Sequence, residues 1–158
     1  MRTLLLCAAV LLAGCGFHLQ GRVPLSRALS VTYIDTEDAQ SDFVQDLRRS
    51  LLGSGASLAT RRDEATAILH VERDELVQRV LSVSANNLPR EYELAYVVRF
   101  AVESGGRTVL PSEELSVTRD LSFDERTLLA KERERDQLRE ALARDLAGVV
   151  MRRLSSLP

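Results

Sequence analysis

The apolar positions of this chain keep three different spacings, and each change of spacing marks a change of structure. Leu4 to Leu12 is an almost unbroken apolar run, with Arg2 before it and Ala13-Gly14-Cys15 after it. Leu29 to Ile34 is a short β-branched stretch with Leu29, Val31 and Tyr33 on one side, broken by Asp35-Thr36-Glu37-Asp38. Helical spacing comes next. Phe43, Val44, Leu47 and Leu51 fall on one stripe, Ser41 or Asp38 is placed to cap the start, and Gly53 to end it. Gly53-Ser54-Gly55-Ala56 reads as a turn, and Ala56 to Thr60 as either a short edge strand or extended chain.

The middle of the chain alternates with period two. Ala67, Leu69 and Val71 alternate with Ile68 and His70, and Leu76 to Val83 continues the strand beyond a charged patch, Glu72 to Glu75. That patch predicts a bulge or a projection beyond the core. After a turn at Asn86-Asn87-Leu88-Pro89, Tyr92, Leu94, Tyr96, Val98, Phe100 and Val102 share one face, with Glu91, Glu93 and Arg99 on the other. Ser104-Gly105-Gly106-Arg107 closes a tight hairpin. A third strand runs through Val109 and Leu110, breaks at Pro111 to Glu114, and resumes as Leu115, Val117, Leu121 and Phe123. Strands this long make a meander able to reach past its own helices.

A long helix finishes the chain. Ser122-Phe123-Asp124-Glu125 has capping-box spacing, with a start nearer Thr127 as the alternative. Leu138, Leu142, Leu146, Val149 or Val150, and Leu154 form its buried stripe, while Lys131 to Gln137 is nearly all charged and reads as a solvated face. The class is α+β: an antiparallel or mixed four-stranded sheet with two helices packed on one face, in the order β-α-β-β-β-α.

The first apolar run is too short to span a bilayer and has the layout of a secretory signal peptide. Leu12-Ala13-Gly14-Cys15 resembles a bacterial lipobox, in which the cysteine is acylated and becomes the first residue of the mature chain. Residues 1–14 are therefore read as a cleaved signal, 15–28 as a lipidated tether and 29–158 as one domain. Each acyl chain contributes roughly 0.8 kcal/mol per buried methylene, so a multiply acylated Cys15 anchors stably without a transmembrane helix. Gly16 rather than Asp follows the cysteine, which by resemblance to the enteric sorting rule favours the outer membrane.

Charge and chemistry narrow the rest. A formal net charge of −2 gives no footing for nucleic-acid binding. Of the two cysteines, Cys7 leaves with the signal and Cys15 carries lipid, so no disulfide is expected. His18 lies beside the tether, and His70 in an alternating strand reads as a structural histidine. No nucleophile elbow, zincin motif or phosphate loop is present, nor metal-ligand spacing. The expectation is a binding or structural protein with no catalytic residues, no metal and no cofactor beyond the lipid on Cys15.

Cys15-Gly16-Phe17-His18-Leu19 directly after a lipobox, Arg90-Glu91-Tyr92-Glu93-Leu94 opening the middle strand, and Leu129-Ala130-Lys131-Glu132 entering the last helix carry a resemblance. Over essentially the whole chain it resembles the LPS-assembly lipoprotein LptE (RlpB) family. That resemblance implies a lipoprotein on the periplasmic side of the outer membrane, plugging the LptD β-barrel, helping it assemble and assisting lipopolysaccharide transport to the outer leaflet. It also implies basic lipopolysaccharide contacts at the tip between the second and third strands and near the start of the last helix. Lys131 matches the latter; at the tip Ala85 stands where an Arg is expected, with Arg90, and less directly Arg79, as substitutes. Two alternatives remain open: a free periplasm-facing lipoprotein binding an apolar ligand, and an accessory scaffold of another outer-membrane machine.

Overall fold

The computed structural model describes residues 25–122 and 128–157. The expected signal, Cys15, most of the expected tether and the capping-box residues after Ser122 lie outside the described residues. Five strands and two helices follow in order: β1 (Val31–Thr36), α1 (Asp42–Gly53), β2 (Ser57–Leu58), β3 (Ala67–Val83), β4 (Pro89–Ser104), β5 (Arg107–Ser122) and α2 (Leu128–Ser155). They form one sheet in the order β2-β1-β3-β4-β5.

The expected four-stranded sheet is thus a five-stranded one, which corrects the element order to β-α-β-β-β-β-α. The added strand is the stretch left open between Ala56 and Thr60. Its two residues pair in parallel with the outer edge of β1, Val31 opposite Ser57, and two residues are too few to show alternation. The sheet is mixed because α1 carries the chain from β1 to its parallel neighbour β3, whereas β3, β4 and β5 are joined by tight turns and run antiparallel.

The start of β1 also differs from its sequence reading. Leu29 closes a short 3-10 turn capped by Ser26, and Thr32 and Ile34, rather than Val31 and Tyr33, face the core. Thr32 is tolerated there because its hydroxyl donates to the Leu29 carbonyl at 2.9 Å. α1 begins at Ser41, whose Oγ accepts from the Val44 N–H at 3.1 Å. It ends in a Schellman arrangement, with the Gly55 N–H donating to Leu52 and the Ala56 N–H to Leu51. The left-handed residue is Gly55 (φ 90), not Gly53. At the β4–β5 turn Gly105 and Gly106 both take positive φ, as the hairpin's primed turn requires.

Within α2, Leu142, Leu146, Val150 and Leu154 form one fully buried row, with Ala143, Ala147 and Met151 beside it. These i, i+4 rows form ridges that meet Phe43, Val44, Leu47 and Leu51 of α1 and Leu94, Val98, Phe100 and Val102 of β4 in a single core. Val149 and Leu138 are only partly buried. Glu113 holds Arg153 at 2.9 Å and Arg119 holds Asp145 at 3.1 Å, so α2 runs back antiparallel to β5.

The expected bulge is present. Register slips between Val71 and Arg73, leaving Glu72 as the extra residue. Before it, Ala67, Leu69 and Val71 enter the core; after it, Leu76 packs on the core from the even-numbered side. Pro111 does not break β5. The strand continues through it with a register slip opposite Phe100 and Val102, and Pro is admissible because β5 is an edge.

Leu146→Ala is expected to cost about 2–5 kcal/mol, and Leu146→Met less than about 1.5, because the site is fully buried between the two helices and β4. Urea denaturation of both variants checks this, and equal losses would show that volume at this site is not what matters.

Candidate functional site: the projecting hairpin

β3 has 17 residues, so at about 3.3 Å per residue the β3–β4 hairpin is some 50 Å long. The helices cover only part of it. From Gln78 to Leu81 β3 is exposed, and the loop closes through a Ser84–Leu88 turn in which Asn87 takes φ 59. The Ser84 N–H donates to the Leu88 carbonyl at 2.7 Å, and Ser84 Oγ accepts from the Leu88 N–H at 3.2 Å. Local hydrogen bonds thus shape the tip where core packing is absent.

The tip is apolar as well as basic. Val80, Leu81, Val83 and Leu88 are each about half exposed. Arg79 stands opposite Glu93, and Arg90, exposed in the first turn of β4, lies about 10 Å further along that strand. The structure therefore brings Arg79 and Arg90 onto one hairpin end. Lys131 falls in the first turn of α2 by backbone, and its side chain lies outside the described residues. Sequence reading passed over the apolar cluster. Its signal was the run Val80-Leu81-Ser82-Val83 with Leu88, apolar without alternation.

The opposite end carries the start of β1. The Val31 N–H donates to Thr66 Oγ1 at 3.1 Å, and β1 pairs with the first residues of β3. Leu25, the first described residue, packs against the core there. The described chain thus begins at the end of the sheet farthest from the tip.

Three polar clusters brace the hairpin below its tip. On the helix side, both Asp74 oxygens accept hydrogen bonds, one from the α1 cap Ser41 and one from Tyr96 at 2.8 Å. Burial raises the Asp74 carboxyl above its ordinary value of 3.8; the Ser41 and Tyr96 bonds restrain the rise and Asp38 and Asp42 add to it. Burial and then the Asp74 contact push the Tyr96 hydroxyl up. On the open face, Glu114 accepts from Arg99 at 2.8 Å and Arg73 at 3.2 Å, and these contacts hold it below the usual carboxylate range. His70, half buried, places Nδ1 2.9 Å from Asp35 and Nε2 3.5 Å from Glu103, tying β1, β3 and β4.

Among the described residues no group of His, Cys, Asp and Glu forms a metal cage, and no helix is long and apolar enough to cross a membrane. A cleft of about 100 Å³ between α1 and α2 is lined by Asp42, Gln45, Asp46, Arg49, Glu140 and Arg144.

A mixed sheet with helices on one face, β1 entering at one end and a long amphiphilic hairpin at the other defines an α+β domain. The family model described as LptE, lipopolysaccharide-assembly, matches residues 26–154. The chain belongs to that family. It is 29% identical to an LPS-assembly lipoprotein LptE of Pectobacterium atrosepticum, over 98% of this chain and 85% of the relative. It is also 29% identical to one of Yersinia pestis, over 96% and 74% respectively. Among solved structures, rare lipoprotein B of Shewanella oneidensis superposes with a TM-score of 0.70 at 25% identity, covering 80% of this chain and 94% of that one. Lipoprotein B of Nitrosomonas europaea gives 0.73 at 26%, covering 89% and 91%.

Because the folded state favours protonated Asp74, its contribution to stability is complete below the ordinary value and is lost as pH rises through the raised folded value. Asp74→Asn is therefore expected to reduce the loss of stability that this carboxyl imposes as pH rises above its ordinary value of 3.8. Urea midpoints at several pH values check this; a constant wild-type-to-variant difference across them would show an unperturbed carboxyl.

Proposed function

We propose that this lipopolysaccharide-assembly family member is an outer-membrane lipoprotein, held on the periplasmic side by acylated Cys15. It plugs the LptD β-barrel, helps that barrel assemble and assists lipopolysaccharide transport to the outer leaflet. The observation that carries the reading is the placement of Leu25, where the described chain begins, and the amphiphilic tip at opposite ends of a hairpin some 50 Å long. A bilayer is about 40–45 Å thick with its headgroups. A domain anchored in one leaflet and standing upright in a water-lined lumen brings its tip to the level of the other leaflet.

The exterior suits such a lumen. Glu132 to Gln137 of α2 is exposed throughout, and the open face of the sheet carries the Arg73, Arg99 and Glu114 network. A free carrier of apolar ligands needs an apolar pocket, and the cleft between the helices is small and polar. At the tip, guanidinium groups of Arg90 and Arg79 are suited to lipid-borne phosphates, with Lys131 as a third cation.

A tag after Pro158 tests the partner. Capture from native outer membranes in mild detergent is expected to bring down a large β-barrel at one-to-one. Recovery of the lipoprotein alone, or with a different machine, overturns the plug reading. Cys15→Ala is expected to leave an uncleaved, unacylated precursor by mass, and normal acylation of that variant would remove the anchor. For the ligand, Arg90→Glu and Lys131→Glu are each expected to weaken lipopolysaccharide binding by about 1.5 kcal/mol, roughly tenfold, without unfolding the domain. Unchanged affinity in both would reduce these residues to surface charges.

A further inference from the structure

The two edges of the sheet are built differently. β2 ends one side after two residues and passes into a 3-10 turn, a short edge of the kind that resists pairing. β5 ends the other with 16 residues, and its Pro and bulge are confined to the part before Glu113. From Glu113 to Ser122 the strand is regular, and among the described residues nothing pairs with its outer side. There the Thr118 carbonyl accepts from the Arg119 guanidinium at 3.0 Å, a side chain standing where a neighbouring strand would donate. Residues of one parity share a direction in an antiparallel pair, so Ser116, Thr118 and Asp120 turn their backbone groups outward.

We infer that this half of β5 is a docking edge for an extended segment of a partner protein, which adds a sixth strand and carries a basic residue opposite Asp120. Backbone pairing supplies affinity and alternate side chains supply selectivity. Leu115 and Val117, only partly buried on the helix side, offer apolar contact to the incoming strand. On the open face the cross-strand row runs Arg79, Glu93, Asp120: Arg79 stands opposite Glu93 from β3, and no cation is bonded to Asp120 at the outer end of the row among the described residues. A Lys or Arg on the next strand pairs with Asp120 there. A second copy of the chain does not fit as well. When two β5 strands pair about a two-fold axis, opposed residues of the regular stretch have the same parity, so Arg119 cannot stand opposite Asp120.

The inference does not require the partner to be a barrel, and hydrogen exchange separates the two questions. The full chain purified alone is compared with the same chain captured from native outer membranes. Amides of Ser116, Thr118 and Asp120 are expected to exchange fast alone and about tenfold or more slowly when captured. Equal rates in the two samples overturn the docking edge. Protection that grows with concentration in the purified chain overturns the heterologous partner in favour of a second copy. Thr118→Pro removes one outward N–H without touching the β4 ladder; it is expected to keep the melting temperature and lose the protection at Ser116 and Asp120. A captured barrel with β5 unprotected leaves the plug reading standing and sinks this one; protection without a barrel does the reverse.

Discussion

One extra residue in β3, Glu72, decides which side chains of the long hairpin meet the helices. Side chains of a strand alternate strictly, so an uninterrupted β3 would continue the series Ala67, Leu69, Val71 into Arg73, Glu75 and Val77 on the core side. The bulge exchanges the two sets. Arg73 and Glu75 go to the open face, where they join Glu114 and Arg99, and Asp74 and Leu76 turn toward the helices. Only then can Asp74 reach both the cap of α1 and the Tyr96 hydroxyl. The position of α1 over the sheet is thus coupled to a backbone irregularity, through a carboxyl whose burial costs free energy and whose two oxygens are both satisfied.

That arrangement divides the molecule along its length. Away from the tip, side chains from α1, α2 and β4 close over one another, and Phe43, Leu47, Phe100, Leu146 and Leu154 are inaccessible to water. Toward the tip β3 is exposed from Gln78 onward. Cross-strand pairs such as Arg79 with Glu93 and Val80 with Tyr92 carry the hairpin outward, where Val80 and Leu81 stand half exposed. A hairpin held by such pairs contributes a few tenths to about 1 kcal/mol per pair, well below what a buried leucine contributes. The tip is therefore the low-stability end of the domain, and it is also the end that presents apolar and basic groups together.

Much of this was legible from spacing. The stripe of α1, the period-two face of β4, both hairpin turns and the bulge were written in residue types whose local preferences agree with the fold. What escaped reading was set by tertiary pairing. Ser57 and Leu58 become a strand only because β1 offers an edge, and Thr32 faces the core because Leu29 supplies an acceptor for its hydroxyl. The site was half legible. Arg90 and Arg79 stood out through resemblance to a family, whereas the exposure of Val80, Leu81, Val83 and Leu88 depends on where the helices stop. Apolar residues in a strand are read as core unless the covering layer is known to end.

The same division explains why one strand can serve two ends of the molecule. At its start β5 is locked, with Leu110 fully buried and Glu113 bonded to Arg153 beside the last turn of α2. Further along, Leu115 and Val117 are only partly covered, Arg119 reaches across to Asp145, and Asp120 stands at the outer end of its row, beyond Glu93. A long unpaired edge is an aggregation hazard that folded proteins usually blunt along its whole length. Here Pro111 and its bulge protect only the first part, and the remainder keeps regular geometry, alternate polarity and an uncompensated acid. Retaining those features beside the projecting hairpin is consistent with an edge covered in its working state. Burial of that edge would also stiffen β4, and through it the exposed tip.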